Sequence, residues 1–265
     1  MAPDDTSNGM GTLRFSHLAG CPDLTHAVFD RKGGVSKPPF DTLNVGFSTG
    51  DDPAAVTENR NRILSYLGLP RALFLHQVHG SDILALPAED AGPKLFWQPG
   101  MTLPPVAATA DGVVTDLSGL ALVIQVADCQ AVMMADPHKK VIANVHSGWR
   151  GSLKNIIGKC VDVMTGEFGC RPKNILAGIS PSLGPCCAEF KHFRKEIPQN
   201  FWQYKHPDRD DFDFWALSCD QLLEKGLRHD HIQNMHLCTR CCGDQYFSYR
   251  AAKKTGRFAC AIGIL

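Results

Sequence analysis

The sequence predicts an α/β (α+β) fold, a single domain with a mixed central β-sheet sandwiched by helices. Three observations carry this. Short apolar runs alternate with helix-period segments along the 265 residues. The runs at 120–126, 131–135 and 141–145 are apolar nearly throughout, as in strands covered on both faces. No repeat, low-complexity tract or linker divides the chain.

Taken in order, residues 1–12 are polar and are expected as a disordered tail before a catalytic domain spanning 13–265. Residues 25–29 read as a strand, and Arg31-Lys32-Gly33-Gly34-Val35-Ser36 as a turn, since paired glycines admit positive φ. Asp52-Pro53 opens a helix with Asp as cap; Val56, Ile63, Leu64 and Leu67 make its apolar face and Gly68 closes it. Strands are predicted at 72–78, 81–86 and 112–115, and the Pro-containing stretch 87–105 reads as a loop on the surface or over a site. A helix is predicted over 151–168, with Ser152 as N-cap. A buried strand follows at 174–179, then a helix over 214–227 capped by Asp213, and a closing strand at 257–265.

Composition narrows the function. The chain is 44% hydrophobic, enough for one large core. Its 27 basic and 27 acidic residues cancel, which disfavours nucleic acid or an anionic membrane as partner and suits a small neutral or modestly anionic substrate. The first residues show no basic start and no apolar stretch of a secretory signal, and the apolar run near 120–127 is too short to span a bilayer, so a cytoplasmic protein is expected. Eleven cysteines, an odd number, are expected to be reduced and either buried or metal-bound.

The chemistry concentrates in a few segments. Ala127-Asp128-Cys129 follows one apolar run and His146-Ser147-Gly148-Trp149-Arg150-Gly151 ends another. With His79 of His76-Gln77-Val78-His79-Gly80, they supply a thiolate and two imidazoles. That is a zinc set, and three protein ligands leave a fourth position for water or substrate, as in catalytic sites. If 72–79 is one strand, His76 and His79 face opposite sides, so His79 at the strand end is the ligand and His76 is packed or hydrogen-bonded elsewhere. Asp128, a carboxylate at the end of a buried strand, orients a ligand, exchanges a proton or binds substrate, or else is capped or salt-bridged. The glycine-containing turn after His146 suits an anion, with Arg150 adding a guanidinium fork or pairing with a carboxylate elsewhere. Cys186-Cys187 and the CxxC of Cys238 and Cys241 could make a second zinc site, but adjacent cysteines converge poorly. The expectation for these, and for Cys242, is reduced thiols near a chain crossing.

These segments belong to an ordered set. It comprises Arg31 to Ser36 with Leu43-Asn44, His76 to His79, Ala110-Asp111-Gly112, Ala127-Asp128-Cys129, His146 to Gly151, the segment from Ile179-Ser180-Pro181 to Cys186-Cys187, Cys238-Thr239, and Phe247-Ser248-Tyr249-Arg250. From about residue 25 to the C-terminus the chain resembles the YfiH-like family, also called the laccase-domain or multicopper polyphenol oxidase family and later assigned as purine nucleoside phosphorylases. The resemblance implies zinc held by His79, Cys129 and His146. It carries over Arg31 and Asn44 as contacts of substrate or phosphate. Asp128 and Arg31 thus stand as candidate catalytic residues, and Asn44 and Arg150 as candidate substrate-binding ones. Ser180, where the family commonly has glycine, and Cys241-Cys242 depart from the pattern without touching the proposed ligands.

The resemblance also implies an activity: phosphorolysis of adenosine, inosine and methylthioadenosine with phosphate as co-substrate, and deamination of adenosine. Zinc suits deamination because it lowers the pKa of a bound water. Three alternatives stand beside it. Cys129, activated by His146, could be the nucleophile of an amide hydrolase that edits peptidoglycan precursors. Two histidines and a cysteine could bind copper, but a polyphenol oxidase needs further histidine clusters, and the only His-x-His here is His229-Asp230-His231. Zinc could also simply staple the fold.

Overall fold

In a computed structural model that describes residues 9–90, 96–101 and 108–265, the apolar runs form two sheets rather than one. Strand β1 is Thr12–Leu13, helix α1 Ser16–Ala19, β2 Leu24–Phe29, α2 Pro53–Leu67, β3 Arg71–Phe74 and β4 Ile83–Leu86. Then come β5 (Gly112–Thr115), β6 (Leu120–Val126), β7 (Gln130–Asp136), β8 (Val141–Ser147), α3 (Trp149–Leu153) and α4 (Ile156–Gly166). The chain continues through β9 (Leu176–Ile179), α5 (Phe193–Glu196), α6 (Phe214–Glu224) and β10 (Ile232–Asn234), and ends with β11 (Phe258–Ile264). One sheet has the order β1-β2-β11-β6-β3 and the other β10-β9-β7-β8-β5-β4, both mixed.

Period-two alternation stacks the sheets face to face. Leu122, Ile124, Cys260 and Ile262 of the first sheet meet Ala131, Met133 and Ile142 of the second in one buried cluster. The alternate residues Ala121, Val123, Ala259 and Ala261 turn outward onto Ile63, Leu64 and Leu67 of α2. Val132, Met134, Ala143 and Val145 turn the other way onto α4 and Leu222 of α6. The result is four layers: helix, sheet, sheet, helix. Apolar strands covered on both faces are legible in the sequence; that the cover on one face is a second sheet is not.

Several boundaries differ from expectation for local reasons. Met10 and Thr12 are buried and β1 pairs with β2, so residues 9–12 are part of the domain; residues 1–8 lie outside the described residues. Strand β3 stops at Phe74, short of the expected 78. The expected helix over 151–168 is two helices, broken at Asn155, which has φ 53° and caps α4 by accepting a hydrogen bond from the Gly158 N–H; Ser152 is inside α3. Asp52 and Asp213 cap their helices as read, and Gly68 takes the left-handed cap conformation. Of the expected loop, 91–95 and 102–107 lie outside the described residues, while buried Trp97 bridges to Ala72. No helix among the described residues is long and apolar enough to cross a membrane.

Candidate active site

The chain passes from one sheet to the other at 75–82, between β3 and β4, and at 127–129, between β6 and β7. Both crossings meet the end of β8. There His146, on the same inter-sheet face as Ile142 by strand periodicity, comes together with His79 and Cys129. The ligand atoms of the three all lie within 4.8 Å of one another. The two imidazole rings stand at 88° with centroids 4.7 Å apart. Gly148 makes room for them, since a Cβ there would sit 3.1 Å from both the Cys129 Sγ and the His79 ring.

A residue to which the sequence assigned no role organises the set. Asp111 is fully buried just before β5. Its Oδ1 lies 2.7 Å from His146 Nδ1, so the Nδ1–H donates to the carboxylate and Nε2 is the nitrogen that could hold a metal. Its oxygens also accept the backbone N–H groups of Val78 (3.2 Å), His79 (2.9 Å) and Gly80 (2.6 Å). Three successive amides converging on one anion form a nest, which accounts for the left-handed φ of 57° at His79. One carboxylate thus orients one histidine through its side chain and the other through its backbone.

The electrostatics favour a thiolate. Burial alone would raise the Cys129 thiol, but the charge and hydrogen bond of His146, with His79, hold it down at about 6. Burial would likewise depress His146, yet Cys129 and Asp111 raise it to about 9. The Asp111 carboxyl, raised by burial, is brought below its ordinary range by the His146 hydrogen bond and the amides of Gly80 and Val78.

The set opens onto a cavity of about 650 Å³. Trp149, Phe190, Phe214 and Tyr249 give it aromatic walls, and Arg150, Arg250, Lys253 and Arg257 give it positive charge. Asp128 lines it too, with φ 89°, but its oxygens are engaged: Thr239 Oγ1 donates at 2.7 Å and the Arg250 N–H at 2.6 Å. Arg150 faces the cavity over the Trp149 ring. His76 lines the wall outside the three-residue set; β3 ends at Phe74, so strand alternation does not decide which way His76 and His79 face.

Two expected contacts lie outside the cavity wall. Arg31 donates to the carbonyls of Asp41 and Gly243, pairs with the Asp41 carboxylate at 3.3 Å and covers the Phe247 ring. Asn44 is fully buried; its amide donates to Thr49 and Asp51, and its oxygen accepts from the backbone N–H groups of Gly46 and Arg257. It therefore bears on the cavity indirectly, by holding Arg257 and the turn at 46–49 that carries Ser48. Sequence reasoning gave no role to Asp111 and Arg250, though both stand in the ordered motifs, and did not single out Arg257 and Lys253. Asp111 carried a signal, a charge between Ala110 and Gly112 at the head of an apolar strand. Arg257 carried none: β11 pairs Phe258 with Val126, which sets Arg257 beside the 127–129 crossing.

Known proteins share this architecture. The family described as multi-copper polyphenol oxidoreductase laccase matches residues 25–265. The chain is 31% identical over 258 residues to the purine nucleoside phosphorylase YlmD of Geobacillus stearothermophilus, covering 92% of each. It is 35% identical over 239 residues to the purine nucleoside phosphorylase ORF3 of Streptomyces griseus, covering 88% of this chain and 91% of that one. The crystal structure of the Geobacillus YlmD superposes with a TM-score of 0.84 at 28% identity, covering 98% of both chains. On the match across nearly its whole length, the chain belongs to the YfiH-like, or laccase-domain, family.

Proposed function

We propose that the protein is a zinc-dependent purine nucleoside phosphorylase acting on adenosine, inosine and methylthioadenosine, with adenosine deaminase activity. The observation that carries this reading is that the His79, Cys129 and His146 set shares one nucleoside-sized cavity with four cationic side chains. The names of the relatives point the same way. One thiolate and two imidazoles fit zinc, with Asp111 fixing the tautomer of His146. Bound there, zinc supplies Lewis acidity and a lowered pKa for water, the chemistry that deamination at C6 of adenine needs.

The chain's own residues do the rest. Arg257, with Arg250, Lys253 and Arg150, holds inorganic phosphate against the site. A phosphate oxygen forms a bond to C1′ of the ribose as the C1′–N9 bond breaks, and its electron pair leaves with the purine, which takes up a proton. Trp149, Phe190 and Phe214 offer flat apolar faces to the base. Asp128 is a positioning residue that ties the Thr239 and Arg250 segments to the cavity. Eleven free thiols suit the cytoplasm.

One observation favours a second reading. Cys129 Sγ and a ring nitrogen of His146 lie within 4.8 Å of each other, and the imidazole holds the thiol down, the pairing of a cysteine nucleophile with its base that an amide hydrolase would use. Incubation with adenosine, with and without phosphate, separates the two. Phosphorolysis gives phosphate-dependent adenine and deamination gives inosine, both lost to chelators. A metal-free protein that releases neither product, yet hydrolyses amides until its thiols are alkylated, overturns the proposal.

A further inference from the structure

Far from the ligand set in sequence, four more cysteines converge. The turn at 184–187, closed by the Cys187 N–H on the Gly184 carbonyl, presents Cys186 and Cys187; the loop after β10 presents Cys238 and Cys241. Their four sulfurs all lie within 4.8 Å of one another, with Cys241 3.7 Å from Cys186 and 3.6 Å from Cys187. The adjacent pair was expected to converge poorly, and the turn overcomes that. No pair is bonded. A tetrahedron of sulfurs each about 2.3 Å from a zinc ion has edges of about 3.8 Å, which these separations approach. The Gly184 N–H donates to Cys238 Sγ at 3.4 Å, as backbone amides do to metal thiolates.

We propose that Cys186, Cys187, Cys238 and Cys241 form a structural zinc site, separate from the His79, Cys129 and His146 centre. Loading exchanges the four thiol protons for one Zn²⁺ and releases them to solvent. With four protein ligands the site is closed, so its role is to staple two segments about fifty residues apart. The first segment is flanked by Leu183 and Ala188, which line the cavity, and the second braces Asp128, which lines it too, through Thr239. Beside the cluster, the Ser182 N–H donates to the Leu237 carbonyl and the Ser182 carbonyl accepts the Thr239 N–H, the Thr239 hydroxyl donates to Asp128, and Arg250 donates to the carbonyls of Cys187 and Glu189. Exposed Cys186 and Cys241 give the ion its entry.

Elemental analysis of the full chain, purified under reducing conditions, tests this independently of the activity. Cys129→Ser, which disables the first centre, is expected to retain about one zinc per chain. Adding Cys241→Ser should remove it, and Cys241→His should restore most of it. Should the serine variant fail to fold, cobalt loading of the Cys129→Ser protein provides the reading, because a tetrathiolate site gives intense sulfur-to-cobalt charge-transfer bands. Metal-free Cys129→Ser protein without such bands, or mass spectrometry finding Cys241 in a disulfide with Cys186 or Cys187, overturns the proposal.

Discussion

At the scale of single residues, Asp111 carries more of the site than any ligand, because it sets both histidines at once. Asp111→Asn keeps the shape but removes the negative charge on which three amides and an imidazole converge. Zinc affinity at the first centre should fall 10–100-fold, the usual cost of losing a partner of a metal ligand. Chelator competition measures it, and an unchanged affinity would show that the nest orients nothing. Proton linkage belongs here too. Zinc needs a thiolate and neutral imidazoles, while the free site holds Cys129 at about 6 and His146 at about 9. Affinity should therefore rise about tenfold per pH unit between 6 and 9, with about one proton released per zinc at pH 7.5. Calorimetry in buffers of different ionisation enthalpy reads that proton; none released contradicts the thiolate–imidazolium account. In the sequence, Asp111 and Asp128 carried the same signal, a charge beside a buried strand. Which one served the ligands depended on how the strands were placed, and no local pattern encodes that.

At the scale of elements, periodicity made strands and helix faces legible but missed breaks that rest on one residue. The sequence pattern reads as one helix over 151–168, but Leu153 of α3 packs with Phe193 and Phe212 while Ile156, Ile157 and Val161 of α4 pack on the second sheet, and Asn155 in a left-handed conformation divides them. Asn is among the few residues that take this conformation readily, so the break is written in one letter. Asn155→Ala loses the cap to Gly158 and adds left-handed strain, about 2 kcal/mol together. Asn155→Gly, free of the strain, should cost only roughly a few tenths of a kcal/mol. Urea midpoints of the two variants decide it; an alanine variant as stable as the glycine one contradicts this account of the break. Similarly, α2 was legible to the residue at both ends because its caps, Asp52 and Gly68, are strong local signals.

At the scale of the whole molecule, face-to-face sheets explain both the buried strands and the place of the site at the crossings between them. The same packing buries His26 on β2, where its Nε2 accepts the Phe15 N–H at 2.9 Å. Burial, with the charge of Arg14, lowers its pKa to about 4, against 6.5 in the unfolded chain. The unfolded chain therefore binds the extra proton first. Stability contributed by neutral His26 is complete above pH 6.5 and falls towards pH 4, with about 2 kcal/mol lost by pH 5. Lowered Asp111 adds to the loss further down, as pH falls through its folded pKa. Denaturant unfolding at pH 7 and pH 5 measures the first step, and a midpoint equal at both would contradict a buried neutral His26.

The central claim is that the His79, Cys129 and His146 centre and the cationic wall around Arg257 form one site for a nucleoside and phosphate. Phosphorus NMR of the zinc-loaded protein with adenosine and inorganic phosphate addresses it in a single tube. A ribose 1-phosphate resonance should grow as the phosphate resonance shrinks, and should be absent with Cys129→Ser. A phosphate signal that stays constant while the nucleoside is consumed, or a Cys129→Ser protein as active as the wild type, would contradict it.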